Sequence, residues 1–295
     1  SLGILLVTGG LVLLGWFAYL WFKLPPAPYQ YQLIAEGDNK RFSQMNLDDW
    51  PELKLGQYKV QADGVDKPIA EFIVARQNEG PPVLIYWKNS TNEILYNFDR
   101  KPSELSALAA AISKHAPKDA LILSWWDTSR QIKLLTGHDT LFTNHLNEPL
   151  MIPVTWLEQS KAIQAYENQF WGSKANPKER EQFERFSQAL AAPAEEGIKQ
   201  LRELIGSNRE TYVIVHVTDL YRLGIMYPEK MGVAYQNFPM TGNMHGMINQ
   251  MKMQLKENGF DTYTLQSVSD NEIRAFFLSD KASSETLLAR MLPFV

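Results

Sequence analysis

The sequence predicts a mixed α/β layered domain behind a single N-terminal transmembrane helix. Three patterns predict it. Residues 2–22 form an apolar run without charge, residues from Tyr29 to Asp99 alternate with period two, and strands then alternate with helical stripes after Pro102. They divide the chain into a transmembrane helix (1–23), a proline-rich linker (24–29), a β-rich subdomain (30–100) and an α/β domain (101–295) with a helical block at 157–206.

The run Leu2 to Phe22 would make a helix about 32 Å long, enough to cross a bilayer core. Trp16, Tyr19, Trp21 and Phe22 crowd its end, as interfacial aromatics do. Lys23 ends the run, and Pro25, Pro26 and Pro28 stiffen the exit. Trp-Phe-Lys-Leu-Pro-Pro is a poor cleavage site, so a retained anchor is expected rather than a signal peptide. Candidate strands follow at Tyr31–Glu36, Tyr58–Ala62, Ile69–Ala75, Val83–Trp87 and Glu93–Phe98, the last two as a hairpin through Asn89 to Asn92. Their alternation predicts a half-buried antiparallel sheet.

Helical periodicity begins at Pro102, with Ser103 as N-cap and Leu105, Leu108 and Ile112 as its stripe. Ala120–Leu123 reads as a buried strand, and a helix resumes after Trp125, Trp126 and Asp127. Pro149–Trp156 reads as another strand. Stripes Ile163/Tyr166/Phe170, Phe183/Phe186/Leu190 and Ile198/Leu201/Ile205 make three helices, and Gly206 closes the block. The charged run Lys178–Arg185 is expected to be the solvated face of the second. Tyr212–Val217 is a strand, Asn243–Asn258 a helix capped by Asn243 and Gly259, Phe260–Val268 and Ile273–Leu278 a hairpin, and Glu285–Met291 a last helix.

Net charge is −4, so no basic face for nucleic acid is expected. The sequence has no cysteine, which excludes disulfides, thiolate metal sites, iron–sulfur clusters and covalent c-type haem, whose attachment needs C-x-x-C-H. No cofactor is expected. There is no G-x-S-x-G or phosphate loop, and the acidic pairs Asp48/Asp49 and Glu195/Glu196 lie in polar stretches where solvated roles suffice.

Histidines at 115, 138, 145, 216 and 245 lack tight ligand spacing, so structural or surface roles are expected of them. Methionines cluster at Met240, Met244, Met247, Met251 and Met253. Met244, Met247, Ile248, Met251 and Leu255 fall on one helical face and read as core. His245 and Met253, with Met240, are what remains as a copper(I) candidate.

Trp125-Trp126-Asp127 stands at the carboxyl end of a strand, where ligands bind in open α/β sheets. Two indoles supply an apolar wall with N–H donors, and an acid fixes polarity. The candidate pocket is Trp125, Trp126, Asp127, Arg130, His138, Asn144, His216 and Asp219. Asp127 also reads as an N-cap, and the two roles are compatible.

The stretch Trp125–Asn147 resembles the W-W-D region of oligosaccharyltransferase catalytic subunits, through Trp125-Trp126-Asp127, then Gly137 to Leu141 and Asn144. In that family the motif lies in an extracytoplasmic domain and reads an acceptor peptide. Here Thr128-Ser129 replaces Tyr-Gly and the multi-span catalytic region is not in the sequence, so the resemblance implies a related fold and a peptide- or glycan-recognition module, without the enzyme. The whole chain resembles the HaoB family of hydroxylamine oxidation proteins. The N-terminal span, the block WWDTSRQIKLLTGHDTLFTNHLNEPL and the Tyr212–Asp219 strand carry that likeness. It implies a non-catalytic accessory protein anchored by residues 2–22 in the inner membrane, with a periplasmic domain that tethers a multihaem c-type hydroxylamine oxidoreductase.

Overall fold

The computed structural model describes residues 2–22, 26–90, 101–206, 209–240 and 244–294; the side chains of residues 2, 4–6, 20–22 and 244 are not among those described. Helix α1 spans Leu2–Phe22, as its unbroken apolar run requires. Among the described residues no helix is long and apolar enough to cross a membrane. The helix is therefore seen, and the crossing expected of it is not.

Four antiparallel strands follow in the order β1 (Tyr29–Gly37), β2 (Leu53–Ala62), β3 (Ala70–Gln77) and β4 (Val83–Asn89). The register aligns Tyr58, Phe72 and Trp87 across β2, β3 and β4, and their rings stack at 5.4 Å spacings. The expected strand Glu93–Phe98 lies outside the described residues. The sheet is not half-buried as its alternation suggested. One face carries Leu55, Ile73, Ala75, Val83 and Ile85 against Leu105 and Ala109 of α2 (Pro102–His115). The other carries Tyr29, Val60, Phe72 and Val74 against Ile163 and Trp171, at and just after α4 (Ser160–Phe170). Aromatics in the sequence's polar slots make the second face apolar too.

Helix α2 starts two residues earlier than a cap at Ser103 would place it. Lys101 is its N-cap without a side-chain bond, and Pro102 takes the first helical position, where its missing N–H costs nothing. Strand β5 (Leu121–Ser124) leads into α3 (Trp126–Thr136), closed by Gly137 at φ +72°. A two-residue strand, β6 (Asp139–Thr140), and β7 (Thr211–Ile214) flank β5 in parallel. The expected strand at Pro149–Trp156 is instead irregular chain running into a 3₁₀ helix, Val154–Gln159. Pro149 and Pro153 have no N–H for a ladder, which explains the difference.

The helical block holds α4, α5 (Pro177–Ala191) and α6 (Ala194–Ile205). Phe183, Phe186 and Leu190 are buried, but Ile198 is 43 % exposed and leaves its stripe. The run Lys178–Arg185 is only partly a solvated face. Glu179 is buried and accepts from the Thr143 and Asn144 amides, while Arg180 donates to the Leu146 carbonyl.

After β7 come α7 (Asp219–Met226) and β8 (Val233–Pro239), neither of which the periodicity suggested. Helix α8 (Met244–Glu257), β9 (Thr262–Ser269), β10 (Glu272–Leu278), α9 (Lys281–Ser284) and α10 (Leu287–Met291) complete the chain; the expected cap Asn243 lies outside the described residues. The third sheet has the antiparallel order β8-β10-β9. Ile273, Ala275 and Phe277 of β10 face Met247 and Met251 of α8, and Phe276 and Leu278 face the central core.

Candidate functional site

Strands β5 and β7 are parallel neighbours, so the chain leaves both at the same edge of the sheet. Trp125 to Asp127 follow β5, and His216 to Asp219 follow β7. Helix α7 then carries Arg222 back across that edge. Its guanidinium meets Asp127 with two bonds, Nη2 to Oδ2 at 2.6 Å and Nη1 to Oδ1 at 3.1 Å. Asp219 Oδ1 lies 3.5 Å from Nη1, and the guanidinium carbon sits 5.1 Å above the Trp125 ring. Burial works against the Arg222 charge, but Asp127 and Asp219 together hold its pKa above the usual arginine value.

Asp127 is not the N-cap. Trp125 holds that position without a side-chain bond, and Asp127 lies in the first turn, where its carboxylate accepts from the Thr128 amide. The two indoles also divide their roles. Trp125 is almost fully buried, edge-on to Phe183 at 5.0 Å, and belongs to the core while still touching the pocket beside Trp126. Trp126 donates its indole N–H to the Glu148 carbonyl and lines a pocket of about 250 Å³.

That pocket lies between the β1–β4 aromatic face, the start of α3, the 145–153 segment and α4. Its aromatic wall is continuous: Trp126 meets His145 edge-on at 4.4 Å, and His145 stacks on Trp171 at 4.7 Å. Trp171 donates to Glu167, which also accepts from the hydroxyls of Tyr29 and Tyr31. Burial raises the Glu167 pKa against those three donors. Burial, with the nearby Arg130 charge, also pushes the His145 pKa well below the ordinary range, so the ring is neutral. Arg130 is 4 % exposed and donates from Nη2 to the Pro82 carbonyl; burial lowers its pKa to about 10, against the pull of Asp127 and Glu179.

The structure thus brings together Trp125, Trp126, Asp127, Arg130 and Asp219. His138 lies elsewhere, its ring bonded to Thr136 Oγ1, because α3 carries it to the opposite end of the sheet. Asn144 is held by Glu179. His216 pairs with the Thr218 hydroxyl and, at 3.8 Å, with Glu104, outside the pocket. Reading by position along the chain missed Arg222, His145, Glu167 and Trp171. Arg222 was detectable in principle, being one helical turn beyond Asp219.

Among the described residues no cluster of three histidine or acidic side chains could hold a metal ion. Met247 and Met251 are core, as their spacing predicts; Met240 and Met253 are exposed. His245 is exposed as well.

Fold and site define a mixed α/β protein with an aromatic-lined pocket at the carboxyl edge of a short parallel sheet. The chain belongs to the family described as HaoA-associated protein HaoB, whose sequence model matches residues 1–295. No curated protein and no solved structure matches it significantly.

Proposed function

We propose that this chain is an accessory protein that tethers HaoA, the multihaem hydroxylamine oxidoreductase, to the outer face of the inner membrane without catalysing a reaction. One observation carries the reading: the match to a family described as HaoA-associated extends over the whole sequence. The lack of cysteine supports it, since the chain has no means of attaching c-type haem and would position an electron carrier rather than be one. The charge-free composition of Leu2 to Phe22 supports a single crossing, and the periplasmic side for the α/β domain follows from the proposed partnership with HaoA.

Affinity capture of the full chain from native membranes in mild detergent is expected to bring down HaoA with its Soret absorbance. Capture that is free of HaoA at every salt concentration overturns the partnership. Alkaline carbonate washing tests the anchor separately: the chain is expected in the membrane pellet, and its release overturns the crossing.

The pocket beside Trp126 favours a second reading, recognition of a peptide or glycan. Asn-X-Thr peptides are then expected to quench tryptophan fluorescence in the full chain and not in Trp126→Ala. An unchanged spectrum removes this reading.

A further inference from the structure

Five charged side chains line the pocket: Asp127, Arg130, Glu148, Glu167 and Arg222. Asp127 and Arg222 neutralise one another, and Glu148 lies 3.5 Å from Arg180 at the rim. Glu167 accepts from two tyrosines and a tryptophan. Arg130 differs from all of them. It is nearly inaccessible to solvent, has no carboxylate within ion-pair distance among the described residues, and bonds only to the Pro82 carbonyl. A guanidinium has five N–H donors, and burying one with Asp127 and Glu179 acting only from beyond ion-pair distance is costly unless something completes it.

The surroundings define what would complete it. Trp126, Trp156, Trp171 and Tyr86 offer ring faces and edges, and neutral His145 adds no second cation. The volume of about 250 Å³ exceeds the roughly 150 Å³ of an apolar cavity that holds benzene. It has room for two fused rings and a small polar group.

We propose that the pocket binds a planar aromatic or conjugated carboxylate, its rings among Trp126, Trp156 and Tyr86 and its carboxylate on Arg130. A carboxylate completes the guanidinium fork with charge-assisted bonds that a neutral group of the same shape does not make. Neither this ligand nor its test rests on the attachment to HaoA. The same chemistry is presented by a free organic acid and by a chain end terminating in an aromatic residue.

Tryptophan fluorescence and calorimetric titration of the full chain in detergent test it, with 2-naphthoate, 2-naphthalenemethanol and acetate as probes. Naphthoate is expected to bind roughly 10–100-fold more tightly than the alcohol, the worth of one hydrogen bond to a charged group. Acetate, lacking the rings, is expected not to saturate. Arg130→Gln should abolish the preference and Arg130→Lys keep part of it. Equal binding of naphthoate and the alcohol, or no binding of naphthoate, overturns the proposal. Both comparisons are made on the unmodified chain and stand even where a variant does not fold. Acetyl-Gly-Gly-Phe separates the sources: binding as tight as naphthoate assigns the site to a polypeptide end, and weaker binding to a free acid.

Discussion

Arg222 sits between two carboxylates in a place water barely reaches, and its removal would leave both uncompensated. Arg222→Leu is expected to destabilise the fold by about 3–5 kcal/mol, the penalty for breaking a buried pair from one side. Asp127→Asn should cost less, because Asp219 still faces the guanidinium; paired denaturant titrations measure the difference. His145 gives a pH dependence of defined sign. Its folded-state pKa lies below the ordinary 6.5, so the unfolded chain binds more protons as pH falls from that value. Stability is therefore full above about pH 6.5 and is lost as pH falls through the depressed value. Glu167 runs the other way, its raised pKa favouring the fold in acid. Thermal melts of the full chain and of His145→Gln across pH 5 to 7 should differ in slope, with the variant lacking the gain toward pH 7 that His145 contributes; identical slopes would sink the assignment. At this scale the sequence placed Trp126, Asp127 and Arg130 together just beyond a strand end, and the structure has them there. It did not show that Asp127 is already engaged, because Arg222 lies 95 positions away in a helix that the periodicity did not reveal.

Among the elements, α5 and α6 meet at a glycine. A Cβ on Gly197 would collide with the Ala189 carbonyl of α5 and stand 2.9 Å from the Leu287 side chain. Gly197→Ala is expected to cost about 1–3 kcal/mol despite alanine's better helix propensity, as overpacking does. Exposed Glu196→Ala should stay within about 0.5 kcal/mol, and chemical denaturation compares the two. The long stripes of α5 and α8 were plain from spacing because eleven or more residues repeat one face. Helix α7 was not, being eight residues with Gly224 inside, a residue that weakens any helical signal. Its tertiary reason is close packing: a Cβ there would stand 3.1 Å from Val233 of β8.

Over the whole molecule, alternating strands and helices announced an α/β architecture, and the structure has one. What alternation could not disclose is which elements cover which faces. The β1–β4 sheet looked one-sided because Tyr29, Tyr31 and Tyr58 pass for solvent-facing residues in a period-two pattern. Their cover comes from α4, and the link is long in sequence: the Tyr29 hydroxyl reaches Glu167 across 138 positions. The pocket owes its existence to the same long link, since α4 and the 145–153 segment supply its far walls.

That separation has a temporal side. Strand β4 ends at Asn89 and α4 begins at Ser160, so at a synthesis rate of about 5–20 residues per second the sheet waits roughly 4–14 s for its cover. Meanwhile Phe72, Trp87 and their neighbours present a bare aromatic surface. The nascent protein is most vulnerable to misassociation in that interval, before the helix that closes the pocket has left the ribosome.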